Sequence, residues 1–219
     1  MKNILVSIDF SKPSHNAAKY AVSLAKYFDA TVTLINVAAP PVMIDDSILA
    51  SVMVTQAEIL ESDKKLMNKE IETLSETNFI NIKGFVKEGY PADIIRKMAE
   101  ENHADLIIMG MKGKGKSNSI FGSTTTAIIR KSSFPVLVIP ENALYQSIDT
   151  ITFATDFDPE TKGERYDLLM ELAKKYGSFI YILNVQKDEY AVTSEDVAGK
   201  METDLAFSKL KHCFSLSTD

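Results

Sequence analysis

One cysteine, no tryptophan and three histidines are spread through 219 residues. The lone Cys213 excludes an intrachain disulfide, which fits a reducing compartment. His15, His103 and His212 are scattered, with no Cys, Asp or Glu at ligand spacing, so no metal site is expected. Positive charge is in deficit as well: 24 Lys and Arg against 30 Asp and Glu give a formal net charge of −6. A nucleic-acid backbone needs a clustered cationic surface, so nucleic acid is not an expected partner. The one concentrated basic stretch, Lys112 to Lys116, is too short to line a polymer groove and suits a single small anion. No apolar run approaches the roughly 20 residues that cross a bilayer. The chain opens on the alternating run Ile4-Leu5-Val6-Ser7-Ile8, without the basic start and cleavage site of a signal peptide. The expectation is a cytoplasmic protein with no membrane partner.

What is present is ordinary globular material, 45% hydrophobic and 25% charged, with short β-rich runs alternating with stretches of helical period. Ile4–Ile8, Thr31–Val37, Ile82–Val86, Leu106–Met109 and Val136–Ile139 read as strands. Ala17, Ala21, Leu24 and Phe28 share one helical face; Leu60, Met67, Ile71 and Leu74 mark a long amphipathic helix. Ala92, Ile95, Met98 and Ala99 give another, and a further helix follows Gly122. Ala38 to Val54, with Pro40 and Pro41, reads as a loop running into the long helix. Strands alternating with helices imply right-handed crossovers and an α/β, doubly wound, five-stranded parallel sheet covered on both faces.

The chain then begins again. Ile151-Thr152-Phe153-Ala154-Thr155-Asp156-Phe157 echoes Ile4-Leu5-Val6-Ser7-Ile8-Asp9-Phe10, and Leu183-Asn184-Val185 echoes Ile35-Asn36-Val37, with an offset that drifts from 147 to 148. A second, partial copy is expected over 148–219 after a complete domain over 1–141. It holds one further helix (Asp196–Lys209), a short strand (Phe214–Leu216) and no glycine-rich loop.

The chemically informative segment runs from Met109-Gly110-Met111-Lys112-Gly113 to Gly122-Ser123-Thr124-Thr125-Thr126. Glycines after a buried parallel strand let backbone N–H groups turn toward one point. A helix opening on Gly122 adds free N–H groups and a dipole that favour an anion. Gly110-x-x-x-x-Gly115-Lys116-Ser117 also satisfies the Walker A pattern, so a P-loop nucleoside triphosphatase is the competing reading. That motif normally follows the first strand, with the helix starting at its Lys-Ser pair. Here it follows the fourth. No Ser-His-Asp order or paired carboxylates stand near the loop, which argues against an enzyme with its own nucleophile. Asp156, with no phosphate loop in its half, reads as a structural cap. Met43, Met53 and Met67 read as packing.

Gly110-x-x-Gly113, an eight-residue spacer and Gly122-Ser123 resemble the universal stress protein signature, whose spacer is usually nine. Asp9-Phe10-Ser11, Leu34-Ile35-Asn36-Val37, Ala104-Asp105-Leu106-Ile107-Ile108-Met109-Gly110 and Ser133-Phe134-Pro135-Val136-Leu137-Val138-Ile139-Pro140 extend the likeness over residues 1–140. The resemblance implies a Rossmann-like fold of the adenine nucleotide alpha-hydrolase type and a stress-response regulator binding ATP or AMP, with or without Mg2+, and with at most slow ATP turnover. By position, Asp9 would meet adenine, Val37 adenine or ribose through its backbone, and Met109, Gly110 and Gly113 the ribose-phosphate region. Gly122, Ser123, Thr124 and Thr125 would meet phosphates. It also implies a homodimer paired through Val136–Ile139. A third reading is a family domain that holds no nucleotide and only dimerises.

Overall fold

Short apolar runs become strands when helices on both sides can bury them, and the first 140 residues supply such a helix after each strand. The computed structural model describes residues 1–40, 49–76, 80–111, 121–157, 166–186 and 194–218. The chain divides into two compact units, Met1–Tyr145 and Gln146–Asp219. The first runs β1 (Asn3–Ser7), α1 (Lys12–Phe28), β2 (Thr31–Ala38), α2 (Leu49–Ser75), β3 (Ile82–Glu88), α3 (Pro91–Glu101), β4 (Leu106–Gly110), α4 (Ser123–Lys131) and β5 (Val136–Ile139). Its five strands pair in parallel in the order β3-β2-β1-β4-β5. The expected doubly wound sheet is what forms.

Alternation along the strands divides the core into two layers. Leu5, Ile35, Ile107 and Met109 pack with Ile95, Met98 and Ala99 of α3 and Ile128 of α4. Ile4, Val6, Val32, Leu34, Leu106 and Ile108, of opposite parity, are also sealed from solvent, as are Ala17, Ala21 and Leu24 of α1. Small alanines let α1 lie close to β1 and β4. On β3, Gly84 has no room for a side chain, because a Cβ there would press on Met67 and Ile71 of α2. Helix α2 begins at Leu49, inside the stretch expected to be a loop through Val54. Beyond Pro41 that stretch contains no proline or glycine, so nothing stops the helix from extending back. Residues 41–48 lie outside the described set.

The second unit runs β6 (Thr150–Ala154), α5 (Asp167–Tyr176), β7 (Phe179–Gln186), α6 (Ser194–Phe207) and β8 (His212–Thr218). Its parallel sheet has the order β6-β7-β8. The pairing repeats that of the first unit: Ile4↔Val32 becomes Ile151↔Ile180, and Val32↔Ile82 becomes Ile180↔His212. Strand β8 is longer than the short strand expected at Phe214–Leu216, because it pairs along nearly all of β7. Ile180 and Ile182 bury against Ala173 of α5 and Phe207 of α6. Tyr181 and Val185, on the other face, stay 44% and 52% exposed. Among the described residues this sheet is covered on one face.

Candidate functional site

The strand order reverses direction at β1, with β2 on one side and β4 on the other. In open parallel sheets the crevice beyond the carboxyl ends at such a point is where ligands bind. The chain leaving β1 is held there by its own polar groups. The Ile8 N–H donates to the Ile35 carbonyl at 2.9 Å, and the buried Asn36 amide donates to the Ile8 carbonyl at 3.0 Å. Phe10 then adopts φ 57°, in the left-handed region that costs a non-glycine residue of order 1–3 kcal/mol. The bonds around it offset that strain. Asp9 Oδ1 accepts from the Ser11 N–H at 3.1 Å and from the Ser11 hydroxyl at 2.5 Å. Ser14 Oγ accepts from the Asp9 and Ser11 N–H groups at 3.2 and 3.1 Å. Ser11 is the N-cap of α1, in a reciprocal capping arrangement with Ser14. Asp9 is thereby fixed at the strand mouth.

The end of β4 supplies the other wall. A Cβ on Gly110 would stand 2.9 Å from the Pro13 carbonyl carbon and 3.1 Å from the Ser14 nitrogen, so only glycine lets the first turn of α1 close over it. Beyond it, the Met111 N–H donates to Ile139 and the Gly122 N–H to Met111, at 2.9 and 3.1 Å. These two bonds bring the start of α4 back to the end of β4. Gly122 is the N-cap of α4 and, having no side chain, makes no side-chain cap bond of its own. The helix dipole and first-turn N–H groups thus present an anion-favouring end beside Gly110. Ser123 is exposed there and Thr124 half-buried. The buried Thr125 turns its hydroxyl inward, donating to the Gly110 carbonyl at 3.3 Å.

The expected site residues therefore separate by role. Asp9, Val37 at the end of β2, Gly110, Gly122, Ser123 and Thr124 all lie at the carboxyl ends of β1, β2 and β4 or on the helix that follows. Met109 is 3% exposed and its side chain belongs to the core, so a ligand could reach only its backbone. Thr125 is committed to the strand end by the bond already described. Gly113, with the lysines of 112–116 and the Walker A pair Lys116-Ser117, lies outside the described residues. Sequence reasoning missed Ser14 and Asn36, which hold the β1 turn. Asn36 had a signal: a polar residue inside an apolar strand that recurs in the repeat as Asn184.

Among the described residues no helix is long and apolar enough to cross a membrane, and no group of three His, Cys, Asp or Glu could hold a metal ion. The model of the universal stress protein family matches residues 1–140. Universal stress protein MJ0531 of Methanocaldococcus jannaschii is 33% identical over 139 residues, covering 63% of this chain and 81% of that protein. Putative universal stress protein SAUSA300_1656 of Staphylococcus aureus is 33% identical over 144 residues, covering 63% and 83%. Among solved structures, a universal stress protein from Archaeoglobus fulgidus superposes with a TM-score of 0.69 at 19% identity, covering 99% of this chain and 78% of that one. That likeness concerns the fold alone. A model that matches residues 1–140, nearly all of the first unit, together with these relatives, places the chain in the universal stress protein family.

Proposed function

We propose that the first unit binds an adenine nucleotide, ATP or AMP, in the crevice at the ends of β1, β2 and β4, and that the protein acts as a stress-response regulator rather than an enzyme. The observation that carries this reading is the start of α4, with glycine at its N-cap, brought back to the end of β4 while the carboxylate of Asp9 is fixed at the end of β1. The two ends differ in chemistry. A carboxylate accepts from the amino group of a base. A helix N-terminus with an exposed serine donates to phosphate. A ligand with an amine at one end and an anion at the other matches both. Mg2+, where present, would accompany the phosphates. A second copy would pair along β5, which lies at the edge of the sheet.

The direct test is mass spectrometry of the ligand released from purified, denatured protein, with ATP or AMP expected. Ser123→Ala should weaken nucleotide binding about tenfold, the worth of one hydrogen bond to a charged group. Gly122→Val should weaken it further, and Lys116→Ala less. Calorimetry in which Lys116→Ala abolishes binding while Ser123→Ala is silent would transfer the reading to a P-loop triphosphatase. An intact protein that binds no adenine nucleotide leaves the dimerisation module, for which size measurement in solution is the check.

A further inference from the structure

The two units leave an edge strand in the same place and treat it differently. Strand β3 ends the sheet of the first unit beyond β2, and β8 ends that of the second beyond β7. Each has seven residues. Both are bonded in the same phase: the Val32 N–H donates to the Asn81 carbonyl at 3.0 Å, and the Ile180 N–H to the Lys211 carbonyl at 2.9 Å. Alternation along the ladder then turns the backbone groups of His212, Phe214, Leu216 and Thr218 away from β7. Among the described strands, none takes them up.

Such a row is a template for another strand, and charges are a common guard against pairing with a copy of itself. Strand β3 carries Lys83, Lys87 and Glu88. Strand β8 carries no lysine, arginine, carboxylate, proline or glycine. A two-fold axis makes the contrast concrete, because it sets residue i opposite j and j opposite i. Centred on Phe85, two antiparallel copies of β3 would set Lys83 against Lys87, a like-charge pair that destabilises. Centred on Ser215, two copies of β8 set Cys213 against Ser217, Phe214 against Leu216 and His212 against Thr218. That register overlaps the whole strand and brings every outward N–H to an outward carbonyl. Ser215 is small and exposed, and meets its own copy at the close spacing, about 4.5 Å between Cα atoms.

The helix beside this edge also has a face to cover. Helix α6 runs along β8: Lys200 Nζ lies 5.1 Å from the Phe214 ring centroid, and Asp204 Oδ1 bonds to His212 at 2.9 Å. It buries Gly199, Thr203 and Phe207. On the side turned away from the sheet it exposes Val197 at 49%, Met201 at 68% and Leu205 at 75%. A two-fold axis normal to the sheet keeps α6 of both copies on the same side, flanking the seam. The second helix adds apolar area toward the roughly 800 Å² per partner that a stable pair buries.

We propose that β8 is a self-recognition edge, along which two copies of this chain join antiparallel about a two-fold axis at Ser215. The joined sheet is continuous, with α6 of each copy beside the seam. The occupant is a second copy because the edge holds no charge to repel its like and its register satisfies itself. Nucleotide binding and pairing along β5 are separate matters, since every residue used here belongs to the second unit.

Cys213 is the chain's one cysteine, so a cross-link reports a single position. In Cys213→Ser/Ser215→Cys, mild oxidation of the intact protein should give a disulfide-linked dimer. Its rate should exceed that of the control Cys213→Ser/Ser208→Cys, whose thiol is exposed just beyond α6, by about tenfold or more. Equal rates overturn the proposal. The unmodified chain, with Cys213 facing Ser217, should link no faster than the control; linking faster than the Ser215→Cys variant overturns the register. Hydrogen exchange supplies the second reading. In the unmodified chain, exchange over 212–218 should slow about tenfold as protein concentration rises. Ser215→Lys should abolish that slowing while exchange in β6 and β7 stays as it was. Exchange that ignores concentration overturns the proposal, as does slowing that survives Ser215→Lys. Slowing only when a different protein is added would mean a foreign strand, and overturns it too.

Discussion

The turns that follow β1 and β6 are built from the same parts, yet their surroundings differ. Both have an N–H that donates to a carbonyl of the next strand, a buried asparagine clamp, a left-handed phenylalanine and an aspartate at the mouth. Strand β1 also has β4 beside it, which brings Gly110 and the start of α4. Strand β6 has β7 on one side and, among the described strands, none on the other. The β-α-β unit by itself therefore makes the corner that holds an aspartate at the mouth. The helix start beside it is a separate contribution, made by β4 and α4.

If the asparagine clamp is the shared device, reversing its polarity should be the most damaging single change in either unit. Asn36→Asp sets a carboxylate against the Ile8 carbonyl in a site 6% exposed. A loss of about 3 kcal/mol at neutral pH is expected, read by urea denaturation. Burial would raise the folded pKa of that new carboxyl above its unfolded value. Stability should therefore return as pH falls through the raised value, when the protonated group can donate. Asn184→Asp should do the same to the second unit, and a silent Asn184→Asp would end the equivalence of the two corners. Next in size is Gly110→Ala, whose methyl meets main-chain atoms that cannot swing aside; about 1–3 kcal/mol should be lost. Ser11→Ala removes the side-chain N-cap of α1 and the hydroxyl bond to Asp9, costing about 1 kcal/mol in thermal unfolding.

The smallest expected effect is a pH dependence confined to the second unit. Burial of His212 opposes its charge, but hydrogen bonding to the Asp204 carboxylate and the Leu210 carbonyl outweighs it and raises its pKa above the ordinary 6.5. Its two ring nitrogens face those acceptors at 2.9 and 3.0 Å, and only the protonated ring can donate to both. The folded state therefore favours the charged form. Its stabilisation is complete below about 6.5 and is lost as pH rises through the raised value. Asp204→Asn should flatten that slope in pH-dependent unfolding of the second unit. An unchanged slope would assign the titration to another group.

The sheet was legible because its strands are buried on both sides, and burial writes itself as unbroken runs such as Leu106-Ile107-Ile108-Met109. The internal repeat was legible for the same reason, and its register held from strand to strand. Site roles were harder to read, because one residue type serves two purposes. Gly110 reads in sequence as a phosphate contact, yet its missing side chain is already demanded by the Pro13 backbone. Asp9 reads as a ligand contact, and the structure also gives it the bonds that set the cap while keeping it at the mouth. Ser14 gave no signal, because a serine inside a helix start looks like solvent-facing filler. In the second unit Tyr166 reaches Phe153, a meeting that no local pattern encodes.

The position of β1 in the middle of its sheet also sets an order of assembly. The Lys2 N–H bonds to the Asp105 carboxylate across 103 residues of chain, at the strand that must slot in beside β1. As the polypeptide emerges during synthesis, β1, β2 and β3 can associate early, but that side of β1 stays unsatisfied until β4 arrives. Among the described strands, the β6-β7-β8 sheet pairs only neighbours in sequence. Long-range closure is the slow step in such topologies, so that sheet should reach its pairing sooner after its strands are made than the five-stranded sheet does.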